Sequence, residues 1–117
     1  MFVKVVFAGL NETWLAQVDT GAAYSVLELG AAQALGLFGV QGHSMRLSTR
    51  SGDLWGQLIR IPLKLVADEG ESLDFEATFF VSRDWQGATF LGYTGLLDKL
   101  RIALDSPANQ FYFGEES

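Results

Sequence analysis

The sequence predicts a mainly β domain, a barrel or sandwich with one or two short helices. Thirteen glycines against two prolines indicate many tight turns between short strands. Residues 54–66 partly alternate apolar and polar side chains, the two-residue period of a half-buried strand. A chain of 117 residues with 49% hydrophobic content can bury one core, and it contains no linker or long repeat. We therefore expect a single domain over residues 1–117.

Turn signals place the elements in order. The first half and middle of the chain predict five strands, at Phe2–Ala8, Thr13–Val18, Ser44–Thr49, Leu54–Val66 and Leu73–Val81. Between the second and third, residues 28–35 are rich in Ala and Leu and are followed by Gly36, which predicts a short helix with a glycine stop. The third and fourth strands form a hairpin around a turn at residues 50–53.

The last third of the chain predicts shorter elements. Residues 82–88 form a loop that leads into a short strand, Thr89–Leu91. Residues 94–100 (TGLLDKL) favour a second short helix. A final hairpin pairs Arg101–Leu104 with Gln110–Phe113 across a Pro-containing turn.

Charge and residue usage exclude several kinds of partner. Fourteen acidic against eight basic residues give a net charge of −6, which disfavours nucleic acid as a ligand. The absence of cysteine excludes disulfides and thiolate metal sites, and the single histidine, His43, cannot build a metal cluster. The acidic run at residues 68–71 lacks the ligand spacing of a calcium loop. We expect no metal and no cofactor.

The apolar segment at the start of the chain is short. Residues 1–7 are interrupted at once by a Gly-Leu-Asn-Glu turn, so they do not make a signal-peptide core. No stretch approaches the length of a membrane-spanning helix. These features favour a soluble cytoplasmic protein with no membrane partner.

The triplet Asp19-Thr20-Gly21 is the candidate for chemistry. It follows an apolar strand that would carry the carboxylate towards a buried position, and Gly21 allows the backbone N–H groups to turn towards that carboxylate. Thr20 offers a hydroxyl for neighbouring backbone groups. The plainer interpretation is an Asx-type turn between a strand and a helix, which is common.

The wider context of the triplet resembles the retropepsins, the retroviral-type aspartic proteases. The segment Asp-Thr-Gly-Ala at residues 19–22 is similar to their active-site loop, and Phe90-Leu91-Gly92 is similar to their later motif of two hydrophobic residues and a glycine. Residues 44–66 are similar in shape to the flap hairpin. Tyr93-Thr94 stands where viral members carry Arg-Asn, and the chain closes with an additional hairpin and an acidic tail, residues 115–117. In its tyrosine the chain is more similar to bacterial retropepsin-like proteins.

The resemblance implies a closed acid-protease β-barrel that works as a homodimer on a polypeptide substrate. Carboxylate-catalysed hydrolysis needs one ionised and one protonated acid, and the chain supplies a single Asp-Thr-Gly. Asp19 would therefore meet Asp19 of a second copy, the pair activating water as an aspartic endopeptidase. Thr20 and Gly21 would support the loop. The expected substrate contacts are Ala22, Thr49, Arg50, Ser51, Gly52, Asp53, Leu54, Trp55, Phe90 and Leu91.

Two other functions fit the same residues. The domain could keep this fold without turnover, as a non-catalytic peptide-binding or dimerisation module. The intact Asp19-Thr20-Gly21 favours the enzyme, because a degenerate copy is free to lose its aspartate. A more distant alternative is a small-molecule-binding barrel in which the triplet is only a turn.

Overall fold

The computed structural model describes residues 1–50, 52–105 and 107–115, and strands account for 53% of these residues. The described residues form nine strands: β1 Phe2–Phe7, β2 Trp14–Val18, β3 Ser25–Val26, β4 His43–Thr49, β5 Gly52–Val66, β6 Leu73–Val81, β7 Phe90–Leu91, β8 Leu100–Asp105 and β9 Gln110–Glu115. The single α-helix among them is α1, Leu29–Ala34. The predicted mainly β class is confirmed.

Six of these strands close into a barrel. Their order around the ring is β1-β2-β7-β3-β6-β5, and the ring closes because β5 also pairs with β1. Most neighbours are antiparallel, but β2 pairs parallel with β7 and β3 pairs parallel with β6. The two parallel contacts join segments far apart in sequence, and they bring the end of β2 beside residue 91.

The barrel interior follows the alternation seen in the sequence. On β5, residues Ile59, Ile61, Leu63 and Leu65 are buried while the residues between them are exposed. They pack with Val3, Val5 and Phe7 of β1, and the Phe7 ring makes an edge contact with that of Phe79, 5.9 Å between centroids. The period of two in the sequence therefore predicted the core face correctly.

Helix α1 lies against one side of this core. Ala31 and Ala32 are its buried residues, and Glu28 and Leu35 are its caps. Gly36 follows with a φ of 68°, the left-handed conformation that glycine adopts at a helix end. The prediction of a short helix stopped by Gly36 is confirmed.

The second predicted helix, at residues 94–100, is wrong. The structure has a turn followed by a single 3-10 turn, Leu97–Lys99. Gly95 takes a φ of 80° and donates its N–H to the Asp98 carboxylate, which makes a tight turn in place of a helical start. Leu96, just before the 3-10 turn, and Leu97, within it, are both fully buried.

Two hairpins extend outside the ring. Strands β4 and β5 form the predicted hairpin over residues 43–66, and β4 pairs with β5 but with no strand of the barrel beyond it. We call residues 43–56 the flap hairpin. Strands β8 and β9 form a separate two-stranded sheet. Its inner face, with Ile102, Phe111 and Phe113, packs on the core.

No helix among the described residues is long and apolar enough to cross a membrane.

Candidate active site

Asp19 stands at the end of β2, where the strand leaves the barrel. Its backbone N–H donates to the Leu91 carbonyl at 3.0 Å, which extends the parallel β2–β7 pairing by one residue. The side chain is exposed in the single chain rather than carried to a buried position. The strand ends at the barrel rim, and no other segment of the described chain covers the carboxylate there.

The Asp19 loop, residues 19–25, turns back on this carboxylate. The Gly21 N–H donates to Asp19 Oδ1 at 3.0 Å, as the glycine at that position predicts. The Ala22 N–H donates to the Asp19 carbonyl at 3.2 Å. Thr20 is exposed, and no described residue forms a hydrogen bond with its hydroxyl. The carboxylate is therefore oriented from one side by its own loop, and its other side is free.

The segment after β7 braces the loop from behind. The Tyr93 N–H donates to the Ala22 carbonyl at 2.9 Å, and the Thr94 N–H donates to the Ala23 carbonyl at 2.8 Å. Gly92 lies so close to the loop that a Cβ there would collide with the Tyr24 carbonyl group. The loop and residues 91–94 are thus held together as one unit, and glycine is required at 92 by the close approach.

Buried hydroxyls hold both ends of β7. Ser25 Oγ accepts the Gly92 N–H at 2.8 Å. At the other end, Thr89 Oγ1 accepts the Glu28 N–H and donates to Glu28 Oε1, both at 3.0 Å. Ser25 and Thr89 are both fully buried. No local sequence signal identified the roles of Ser25, Thr89 and Glu28.

Phe90 and Leu91 take different positions around the loop. Phe90 is partly exposed, and its ring makes an edge contact with Trp85, 5.6 Å between centroids. Leu91 is fully buried in the core, so it contacts the loop through its carbonyl rather than through an open surface. Ala22 is partly exposed beside them. Phe90 and Ala22 are the accessible members of this wall.

The flap residues lie on two faces of their hairpin. Leu54 pairs with Leu47 on the more buried face. Trp55 pairs with Arg46 on the more exposed face, 66% exposed itself, with the Arg46 guanidinium 5.9 Å from its ring. Asp53 shares that face and accepts the Ser48 hydroxyl at 3.0 Å.

Near the tip of the flap hairpin, Thr49 of β4 pairs with Gly52 of β5. The Thr49 hydroxyl donates to the Gly52 carbonyl at 2.7 Å, and Gly52 has a φ of 122°. Arg50 is exposed at the turn. Ser51, also expected to contact substrate, lies outside the described residues, as do residues 116 and 117 of the acidic tail.

The described residues contain no group of three or more histidine and carboxylate side chains that could hold a metal ion. His43 is exposed at the start of β4, and the acidic residues 68–71 are exposed in the β5–β6 turn. Among the motif residues, Asp19 therefore has the side chain best placed to catalyse a reaction. Its carboxylate is exposed at the barrel rim, and its backbone is held by hydrogen bonds. No protein-family model matches the chain, and no curated protein matches it at a significant level.

Proposed function

We propose that the protein is an aspartic endopeptidase whose active site is built from Asp19 of two copies of the chain. The observation that carries the proposal is the Asp19 loop. Its carboxylate is exposed at a barrel rim, accepts a hydrogen bond from Gly21, and sits on a backbone that residues 91–94 brace. A turn that only links two elements would not need such bracing around an open carboxylate.

The chemistry requires a second acid. One carboxylate must be ionised to take a proton from water, and the other must be protonated to polarise the peptide carbonyl. Two carboxylates held close share one proton, because ionising both would place like charges side by side. The chain supplies no second Asp-Thr-Gly, so a two-fold homodimer is the simplest source of the partner acid.

The surface of the single chain carries apolar side chains that a second copy would cover. Phe2, Leu15 and Tyr112 are each more than half exposed and line one groove of about 770 Å³ between the outside of β1–β2 and strand β9. Exposed aromatic and aliphatic groups gathered in one place are typical of an interface. The free hydroxyl of Thr20 lies at the same end of β2 as Asp19 and is open to a partner.

The proposed reaction needs an extended peptide between the floor and the flap hairpin. The floor offers Asp19, Ala22 and Phe90, and the flap hairpin offers backbone groups near its tip. Water attacks the scissile carbonyl while one carboxylate takes the water's proton and the other donates its own to the carbonyl oxygen. Collapse of the tetrahedral intermediate breaks the C–N bond: the carboxyl group that took the water's proton gives it to the leaving amine, and the other carboxylate takes back its proton from a hydroxyl of the intermediate.

The Asp19→Asn variant tests the proposal. Asparagine keeps the size of the side chain and can still accept the Gly21 N–H, so the fold and oligomeric state should be unchanged. Cleavage of denatured casein should fall by at least about 10³-fold, because an amide cannot act as a general base. Retained cleavage by the variant would exclude Asp19 as the catalytic group, and absence of cleavage by both proteins would favour the non-catalytic binding module.

Mixing wild type with Asp19→Asn distinguishes an active site that two chains share from one that each chain carries alone. After equilibration of wild type with an equal amount of Asp19→Asn, random pairing leaves about half of the wild-type chains in mixed dimers, so activity should fall to about half. Activity that stays at the wild-type level would mean that each chain acts alone. Sedimentation of both proteins at the assay concentration checks that dimers are present.

A further inference from the structure

Ser82 is the third buried polar residue in the described part of the chain, beside Ser25 and Thr89, and the Asp19 loop does not use it. The side chain is 2% exposed at the end of β6. Its hydroxyl donates to the Trp55 carbonyl at 2.7 Å and accepts the Asp84 N–H at 3.1 Å. The hydroxyl therefore donates one hydrogen bond to the flap hairpin and accepts one from the loop after β6.

The hydrogen bond between Ser82 and Trp55 lies just beyond the point where the β5–β6 ladder ends. The backbone pairing of β5 with β6 ends at Gln57–Val81. Beyond that pair, the flap hairpin continues as two strands that pair only with each other. The Trp55 carbonyl lies two residues past the end of the ladder, so a side-chain hydroxyl supplies the bond that a backbone N–H supplies elsewhere.

The packing at the flap base is tight around the same point. A Cβ at Gly56 would collide with the Val81 carbonyl oxygen and lie 2.9 Å from the Phe80 ring and 3.0 Å from Ser82 Cβ. Gln57, also on β5, accepts the N–H of Gly42, the residue before β4, with its side chain. The base of the flap hairpin thus carries two side-chain hydrogen bonds, one between β5 and Ser82 and one that joins the two flap strands.

The other bond of Ser82 leads to the loop that packs against Phe90. By accepting the Asp84 N–H, the hydroxyl shapes the turn that places Trp85. The Trp85 ring packs against Phe90, and its Nε1–H donates to the Ala88 carbonyl at 3.1 Å. One hydroxyl therefore connects the base of the flap hairpin with the loop that supports Phe90.

We propose that Ser82 is a positioning residue that ties the flap hairpin to the loop that supports Phe90 and sets how readily the hairpin opens. The tie follows from the hydrogen bonds at Ser82. Its effect on turnover rests on the proposed peptidase function. When the bond to Trp55 is lost, the residues beyond Gln57 keep only the β4–β5 pairing, and the hairpin should open more often as a unit.

Hydrogen exchange of the Ser82→Ala protein tests the tie without any assay of activity. Amides of residues 43–56 should exchange about two- to tenfold faster, the range that corresponds to one lost hydrogen bond. Amides of residues 59–65 in the barrel should keep their wild-type rates. Ser82→Thr, which keeps the hydroxyl, should restore slow exchange in the flap hairpin.

A matched control removes another buried hydroxyl. Ser25→Ala makes the same chemical change at the same depth, but its partner is Gly92, so exchange in the flap hairpin should be unchanged. Unchanged flap exchange in Ser82→Ala, or equal acceleration in the flap hairpin and the barrel, would overturn the proposal. If Ser82→Ala does not fold, Ser82→Cys fills the site with a slightly larger group that is a weaker donor, and it should show the same local acceleration.

Kinetics then connects the tie to the proposed activity. With a peptide substrate, Ser82→Ala should raise KM about two- to tenfold and leave kcat within about twofold, because ordering the flap hairpin becomes part of binding. Equal loss of kcat and kcat/KM would contradict this role in turnover. If the Asp19→Asn experiment shows no Asp19-dependent peptidase activity, the proposed function is wrong. The hydrogen-exchange result then still tests whether Ser82 holds the base of the flap hairpin.

Discussion

The Asp19 loop and the flap hairpin are held in opposite ways. Within residues 91–94, every residue bonds to the loop segment 19–25: Leu91 accepts from Asp19, Gly92 donates to Ser25, and Tyr93 and Thr94 donate to Ala22 and Ala23. The flap hairpin, by contrast, leaves the barrel at Gln57–Val81 and is tied there by side-chain bonds. The Asp19 loop is thus hydrogen-bonded to residues 91–94 at several points, whereas the flap hairpin is hydrogen-bonded to the barrel at its base.

This difference suits the roles that we propose for the two regions. A carboxylate that must meet a second carboxylate needs a fixed backbone, because small displacements of a reacting group lower rates steeply. A cover that admits an extended peptide has to open and close, which requires a segment of low local stability. The predictions below test how large the difference is.

The largest effect is expected at Gly92. In Gly92→Ala, the new methyl group collides with backbone atoms of Tyr24, so the brace must move away from the loop. We expect the free energy of unfolding to fall by about 2–4 kcal/mol in urea titrations. The Asp19 N–H donates to the carbonyl of Leu91, the residue next to Gly92, so a shift at residue 92 should displace the Asp19 carboxylate. Cleavage should therefore fall by about 100-fold even where the protein stays folded.

Gly39 provides the matched control for Gly92. A Cβ at Gly39 meets no atom within 4 Å, and Gly39 does not have a positive φ. Gly39→Ala should change the free energy of unfolding by less than about 1 kcal/mol and leave cleavage unchanged. Equal destabilisation by both variants would mean that the close contact at Gly92 is not what braces the loop.

An intermediate effect is expected at Ser25. Removing its hydroxyl in Ser25→Ala leaves the Gly92 N–H without its acceptor in the barrel interior, which costs about 1–3 kcal/mol of unfolding free energy. Ser48→Ala also removes a hydroxyl bond, but on the exposed flap hairpin, so its cost should stay below about 0.5 kcal/mol. If the two variants cost the same in urea titrations, the loop is not the more strongly held region.

The local elements of this fold were largely predictable from the sequence. Alternation from Ile59 to Leu65 marked the core face of β5, and Gly36 marked the end of α1. These signals are local, because strand and helix periods and a glycine cap act over a few residues. The helix predicted at residues 94–100 was wrong for a related reason: Gly95, which has a positive φ, and Asp98 form a competing local turn.

The bracing of the site could not be predicted in the same way. Ser25 and Gly92 are 67 residues apart, and Ser82 and Trp55 are 27 apart. A serine in a sequence window does not indicate whether its hydroxyl will be buried or which backbone group it will meet. The Ser25 bond depends on the contact of β3 with β7, and the Ser82 bond depends on where the β5–β6 ladder ends, so only the complete fold brings these partners together.

The smallest effect is expected on the exposed face of the flap hairpin. Arg46 and Asp53 form an ion pair at 3.6 Å, with side chains 56% and 46% exposed. A double-mutant cycle of Arg46→Ala and Asp53→Ala should give a coupling free energy of about 0.2–0.5 kcal/mol, because water screens both charges. At about 1 M salt the coupling should vanish. A coupling above about 1 kcal/mol that persists in salt would mean that the flap hairpin is stiffened along its length, and the contrast with the Asp19 loop would then lie in the kind of bond rather than in how firmly each region is held.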